Sequence, residues 1–93
     1  MENRMHGHVL ITGAVGGLGT AMVHRLLKEG HTIIACDRNT DAAGEWLGGL
    51  PTEHQNRVQF RPLDVTDEEH IRALADELKS QDTHIAYLIN NAG

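Results

Sequence analysis

The feature that most constrains this chain is an alternation of two patterns. Four short segments, His8 to Thr12 (HVLIT), Thr32 to Asp37 (TIIACD), Val58 to Leu63 and Ile85 to Ile89, read as strands and are separated by segments of different character. The continuous apolar run at Thr32 to Asp37 predicts a strand buried on both faces, as in a parallel sheet. From Gly17 to Glu29, Leu18, Met22, Val23, Leu26 and Leu27 recur at helical spacing, and Gly30 reads as the glycine that stops the helix. A second helix is expected through Ala42, Ala43, Trp46 and Leu47, capped by Asn39 or Thr40 and ended by Gly48-Gly49 and Pro51. Pro51 to Asn56 is polar and reads as loop. Thr66 and Glu69 form a capping box for a third helix, which turns Ile71, Leu74, Ala75 and Leu78 inward. The predicted order is β-α-β-α-β-α-β. With short connections this is an α/β chain with a parallel sheet and right-handed crossovers: a Rossmann-type three-layer sandwich, partly built.

Composition narrows the function classes. Ninety-three residues allow one domain at most, and no linker or repeat divides them. Thirteen acidic residues against eight basic ones, the latter scattered, argue against a nucleic-acid surface. Aromatic residues make up only 3%, which argues against base stacking and for a core of Val, Ile, Leu and Ala. No apolar run approaches the ~20 residues of a membrane span, and no secretory signal is visible. The single cysteine, Cys36, excludes an internal disulfide and fits a reducing, cytoplasmic setting. Lying within the second strand, it reads as a small buried hydrophobe.

Chemistry enters at Thr12 to Gly19, TGAVGGLG, which joins the first strand to the first helix. Gly13 permits a sharp turn at the strand end. A glycine at Gly16 or Gly17 lets backbone approach a pyrophosphate, and Gly19 lets helix pack against strand. The helix N-terminus then offers its N–H groups to the phosphates. A bare βα turn is the simpler reading of one glycine loop. Asp37 argues against it, because it ends the second strand close to the ~20-residue offset at which an acid binds the adenosine ribose. A Walker phosphate loop is rejected, since Gly19 is followed by Thr20 without a lysine.

These residues resemble the short-chain dehydrogenase/reductase family. TGAVGGLG fits the classical pattern TGxxxGxG through Gly13, Gly17 and Gly19, and the extended pattern TGxxGxxG through Gly13, Gly16 and Gly19. Asp64-Val65 after strand three and Asn90-Asn91-Ala92-Gly93 after strand four favour the classical branch. The resemblance covers the chain from Val9 onward. It implies a cofactor-binding set of Gly13, Val15, Gly16, Gly17, Leu18, Gly19, Asp37, Arg38, Asp64, Val65, Asn91, Ala92 and Gly93. In that set Asp64 and Val65 lie beside the adenine, and Asn91, Ala92 and Gly93 line the ribose and nicotinamide side. Within the family the chain looks closest to 3-oxoacyl reductases, particularly acetoacetyl-CoA reductases, through GGLGTAMVHRLLKEGH and Glu45-Trp46-Leu47. The implied cofactor is a nicotinamide dinucleotide. Asp37 would hold both ribose hydroxyls of NAD and repel a 2′-phosphate, whereas Arg38 could pair with that phosphate. NAD is favoured and NADP is the alternative.

The family's hydride transfer uses a Tyr-x-x-x-Lys pair, a serine and an asparagine, all beyond the NNAG motif. Tyr87 is followed four residues later by Asn91, and Ser80 falls near the end of the third helix, so neither matches and no catalytic residue is assigned. Seven histidines are spread across separate elements apart from His6 and His8, and no metal site is expected. The first expectation is therefore the N-terminal, cofactor-holding part of a larger reductase acting on a small carbonyl or hydroxyl substrate, homo-oligomeric when whole. The alternatives are a stand-alone dinucleotide-binding module and a structural remnant of the half-fold. The strand Ile85 to Ile89 carries no charge or proline to protect an open edge, which favours the first.

Overall fold

A computed structural model describes residues 7–91. Its elements run β1 (His8–Thr12), α1 (Gly17–Lys28), β2 (Ile33–Asp37), α2 (Ala43–Gly48), a 3-10 segment (Thr52–Arg57), β3 (Val58–Pro62), α3 (Glu68–Ser80) and β4 (Ile85–Asn90). All strand pairs are parallel, in the order β3-β2-β1-β4. The sequence order reverses at β1, so the carboxyl ends of β1 and β4 flank the crevice where doubly wound sheets hold ligands. The Rossmann-type reading of the sequence is the fold observed.

The apolar runs form the middle of the sheet because their side chains are covered on both faces. Val9 and Ile11 of β1 and Ile33 and Ala35 of β2 pack with Val23 and Leu27 of α1 and Leu50. Met22, Trp46 and Leu47 close the rim of that layer. On the other face Leu10, Ile34 and Cys36 meet Leu63, Leu74 and Leu78. Each fully buried Ile or Val contributes about 1.5–3 kcal/mol over leaving it exposed. The carboxyl end of α1 is tied down by Arg57, whose guanidinium donates to the carbonyls of Leu27 and His31 at 2.9 Å each.

Several local expectations change. Pro51 to Asn56 is not plain loop, since Thr52–Arg57 winds into a 3-10 helix that starts after Pro51. The second helix is short and begins after Ala42 without a side-chain cap. Asn39 is not the cap, because the helix begins only at Ala43, with Ala42 at the cap position. Its N–H donates to Asp37 Oδ1 at 2.9 Å. The third helix is capped by Asp67, whose side chain accepts from the N–H groups of Glu69 and His70. Thr66 instead turns its hydroxyl to Asp64 Oδ1, at 2.6 Å. On α3 only Leu74 and Leu78 are buried, while Ile71 stays 42% exposed. Ala75 is exposed as well.

β4 carries an irregularity that apolarity alone does not reveal. His8 pairs with Ile85, but Val9 pairs with Tyr87, so Ala86 is an extra residue. The bulge switches faces: Ile85 packs with the α3 layer and Ile89 with the α1 layer. Gly7 is required beside it, since a Cβ there would stand 2.9 Å from the Cβ of Ala86.

Candidate functional site

The glycine loop leaves β1 at Gly13, whose φ of +67° is left-handed and favours glycine. The chain folds back so tightly that a Cβ on Gly19 would overlap the Gly13 carbonyl and the Ala14 Cα. Glycine at 19 is thus the condition for α1 to start against β1. Gly17 differs, because a Cβ there would meet nothing within 4 Å. It faces open space, and Gly16 and Leu18 beside it are exposed. Leu18 was expected on the inward stripe of the helix. It is 68% exposed. Gly16 is the N-cap, no side chain caps the helix, and no acid lies in its first turn. Such a terminus favours an anion through its N–H groups and dipole.

The ends of two neighbouring strands, β2 and β4, grip this loop. Asp37, at the end of β2, accepts the Val15 N–H through Oδ2 at 3.0 Å and the Asn39 N–H through Oδ1. The Cys36 carbonyl accepts from the Ala14 N–H at 3.0 Å. From β4, Asn91 donates its side-chain amide to the Gly13 carbonyl at 3.1 Å and its N–H to Thr12 Oγ1 at 3.0 Å. Thr12 Oγ1 in turn lies 3.1 Å from Asn90 Oδ1. Asn91, which the family resemblance assigns to the ligand side, thus fixes the loop through its N–H and its side-chain amide. Ala92 and Gly93, also assigned there, lie outside the described residues.

Asp64 and Val65 follow β3 at the same edge of the sheet. Asp64 Oδ1 accepts from the hydroxyl and N–H of Thr66, which hold its carboxyl below the ordinary carboxylate value, and the charge of Arg38 adds to this. Arg38 is exposed, and its effect on Asp64 brings the β2 and β3 loops into electrostatic reach of one another. The Asp64 N–H donates to His70 Nδ1 at 3.1 Å, so that nitrogen is the acceptor and carries no proton. Val65 packs against the α3 layer. Beside Asp37, the Cys36 thiol is fully buried, and burial above all pushes it up to about 12, so it is no nucleophile.

The structure thus brings Gly13, Val15, Gly16, Gly17, Gly19 and Asp37 into one connected cradle, with Arg38, Asp64 and Asn91 around it. Sequence reasoning missed the bracing roles of Thr12 and Asn90, although both stood in the quoted motifs. It also missed Thr20 and Trp46, whose bond to each other has no local signature. Among the described residues no group of three or more His, Cys, Asp or Glu side chains is placed to hold a metal. Tyr87 lies in β4 and Ser80 ends α3, both outside this cradle.

Comparison with known proteins gives the context. The family model described as short chain dehydrogenase matches residues 7–93. An acetoacetyl-CoA reductase of Cupriavidus necator is 34% identical over 88 residues, covering 89% of this chain and 34% of that protein. A 3-oxoacyl-[acyl-carrier-protein] reductase of Thermotoga maritima is 36% identical over 94 residues, covering 97% and 37%. A 3beta-hydroxysteroid dehydrogenase of Mediterraneibacter gnavus is 31% identical over 85 residues, covering 91% and 30%. The chain spans about a third of the length of these relatives. Among solved structures, ElxO with NADP bound superposes with a TM-score of 0.84 at 28% identity, over 96% of this chain and 36% of that one. A short-chain dehydrogenase from Leptospira borgpetersenii with bound NAD+ superposes with a TM-score of 0.76 at 26% identity, over 94% and 31%. With a family match that runs from before β1 through the NNAG motif, the chain belongs to the short-chain dehydrogenase family.

Proposed function

We propose that this chain is the dinucleotide-holding part of a reductase that moves hydride between NAD(P)H and a carbonyl or alcohol substrate. The observation that carries the reading is the bond from Val15 N–H to Asp37 Oδ2, which locks a glycine loop to an acid at the sheet's switch point. The residues fit such a cofactor. The uncapped start of α1 suits the diphosphate, and Gly17 leaves room for it. Asp37 suits the ribose hydroxyls, and Asp64 with Val65 suits the adenine. Asn91, Ala92 and Gly93 would lie toward the nicotinamide. The cofactor would supply the hydride. This chain's residues would bind and orient it.

Asp37 argues for NAD, because a carboxylate repels a 2′-phosphate. Arg38 keeps NADP as the alternative. Two relatives named for 3-oxoacyl and acetoacetyl thioesters support that substrate class, within a set that also holds a steroid dehydrogenase. Because the chain spans a third of its relatives and Tyr87 and Ser80 lie outside the cradle, the proton-donating groups are assigned to the remainder of a larger Rossmann domain. Such a protein would form homo-oligomers as a soluble cytoplasmic enzyme. No helix among the described residues is long and apolar enough to cross a membrane.

Titration with NADH and NADPH tests the reading. Both are expected to bind, NADH more tightly. Asp37→Ala should weaken NADH about tenfold or more, the loss of charged hydrogen bonds, and NADPH much less. Gly13→Val should abolish binding of both. Binding of neither cofactor by the wild-type chain sinks the proposal and leaves the structural remnant. Binding without turnover in the whole protein favours the non-catalytic module.

A further inference from the structure

Two of the braces on the glycine loop come from motif residues, Asp37 and Asn91. A third comes from residues outside the cofactor-binding set. Trp46 of α2, the only tryptophan, donates its indole N–H to Thr20 Oγ1 at 2.9 Å. Thr20 lies in the first turns of α1, and its hydroxyl oxygen stands 3.2 Å from the Ala14 carbonyl and 3.3 Å from the Val15 carbonyl. An indole only donates, whereas a hydroxyl both accepts and donates. The direction is therefore fixed. The proton of Trp46 goes to Thr20, and the proton of Thr20 goes to a loop carbonyl.

We propose that Thr20 and Trp46 are positioning residues that set the glycine loop for the dinucleotide, a claim that rests on the function proposed above. Val15 sits at the crossing point, its N–H held by Asp37 and its carbonyl facing the Thr20 hydroxyl. A ribose hydroxyl that takes Asp37 Oδ2 competes with the Val15 N–H for that oxygen. When that grip loosens, the Thr20 hydroxyl still faces the Ala14 carbonyl, the other end of the same peptide unit. The relay also ties α2, the segment after the Asp37-Arg38 loop, to the start of α1. The phosphate-facing and ribose-facing halves of the cradle then move together. Chained hydrogen bonds of this kind polarise one another, so loss of one member weakens the next.

The test uses Thr20→Val, which keeps the shape and removes the hydroxyl, Thr20→Ser, which keeps the hydroxyl, and Trp46→Phe, which removes the indole donor. NADH affinity should fall about five- to tenfold in Thr20→Val and Trp46→Phe, and Thr20→Ser should lie within about twofold of wild type. Amide hydrogen exchange over residues 15–19 should quicken in Thr20→Val and Trp46→Phe, while α3 is unchanged. The indole proton resonance of Trp46 should shift in Thr20→Val and stay near its wild-type position in Thr20→Ser. Thr20→Val with wild-type affinity and wild-type loop exchange overturns the inference, as does a Thr20→Ser loss equal to that of valine. If the wild-type protein binds no dinucleotide, the function reading fails and the positioning claim fails with it. In that case faster loop exchange in Thr20→Val marks a brace that serves the fold alone.

Discussion

β2 and β4 look alike in sequence and behave differently in the fold. IIACD and IAYLIN are both short, apolar and uncharged except at the carboxyl end of β2. Ile33, Ile34, Ala35 and Cys36 are all 0% exposed, whereas Tyr87 and Leu88 are 65% and 67% exposed. The difference lies in their neighbours. β2 has a strand on each side and helices on both faces. β4 pairs only with β1, and among the described residues its other edge is unpaired. Beside it Leu88, Ile85 and Leu74 line an apolar groove of about 520 Å³ under α3, next to exposed Ile71. Apolar pattern states what a strand could bury, and topology decides what it does bury. The cradle stands at the closed end of this contrast, anchored in β1 and β2, and reaches toward the open end through Asn90 and Asn91.

The largest test of the contrast is a pair of truncations. Ile11→Ala, in a side chain 0% exposed, should cost roughly 2–5 kcal/mol in urea unfolding. Leu88→Ala, two-thirds exposed, should cost less than about 0.5 kcal/mol. Comparable losses would mean that β4 is covered in solution, by further chain or by a second copy, and the contrast would break there.

Cys36 probes the closed centre directly. Its thiol is pushed from the ordinary 9.0 up to about 12, by burial first, with Asp37 adding and Arg61 opposing. The native state thus holds this proton more tightly than the unfolded chain. Stability is unaffected by this group below about pH 9 and falls as pH rises toward 12. Cys36→Ala should flatten that alkaline fall. At pH 8 a thiol reagent should label native protein only as fast as it opens, and labelling at the free-thiol rate would show the centre to be loose.

Much of this was legible in the sequence, and the misses share a cause. β1 and β2 were legible because a doubly covered parallel strand must be apolar throughout. Gly13, Gly19 and Asp37 were legible because a turn, a close approach and a fixed offset each demand one residue type. What failed were choices between near-equivalent polar partners. Asn39 was a plausible cap, but the helix starts only at Ala43 and Ala42 stands at the cap position. Thr66 matched the capping box, but Asp64 stands close enough to take its hydroxyl, and the cap passed to Asp67. Leu18 and Ile71 satisfied the helical period, yet periodicity names a face and is silent on whether anything covers it. The Trp46–Thr20 bond joins residues in separate elements and leaves no trace in local spacing.

The start of α3, which covers the centre on one face and leaves the groove open at its side, offers the smallest effects and the finest distinction. Asp67→Ala removes a cap that accepts from two N–H groups and should cost about 1 kcal/mol. Thr66→Ala should leave the helix nearly untouched and act on Asp64 instead. The Thr66 hydroxyl and N–H stabilise the Asp64 carboxylate, so its folded value lies below its unfolded one. Whatever stability this brings is present above the unfolded value and lost as pH falls through the folded one. Asp64 is fully exposed, so the readout is titration of its carboxyl by NMR and not unfolding. Thr66→Ala should move that titration upward while the backbone N–H keeps part of the shift. If instead Thr66→Ala costs as much stability as Asp67→Ala and leaves Asp64 in place, the threonine is the cap after all, and the capping box read from the sequence holds.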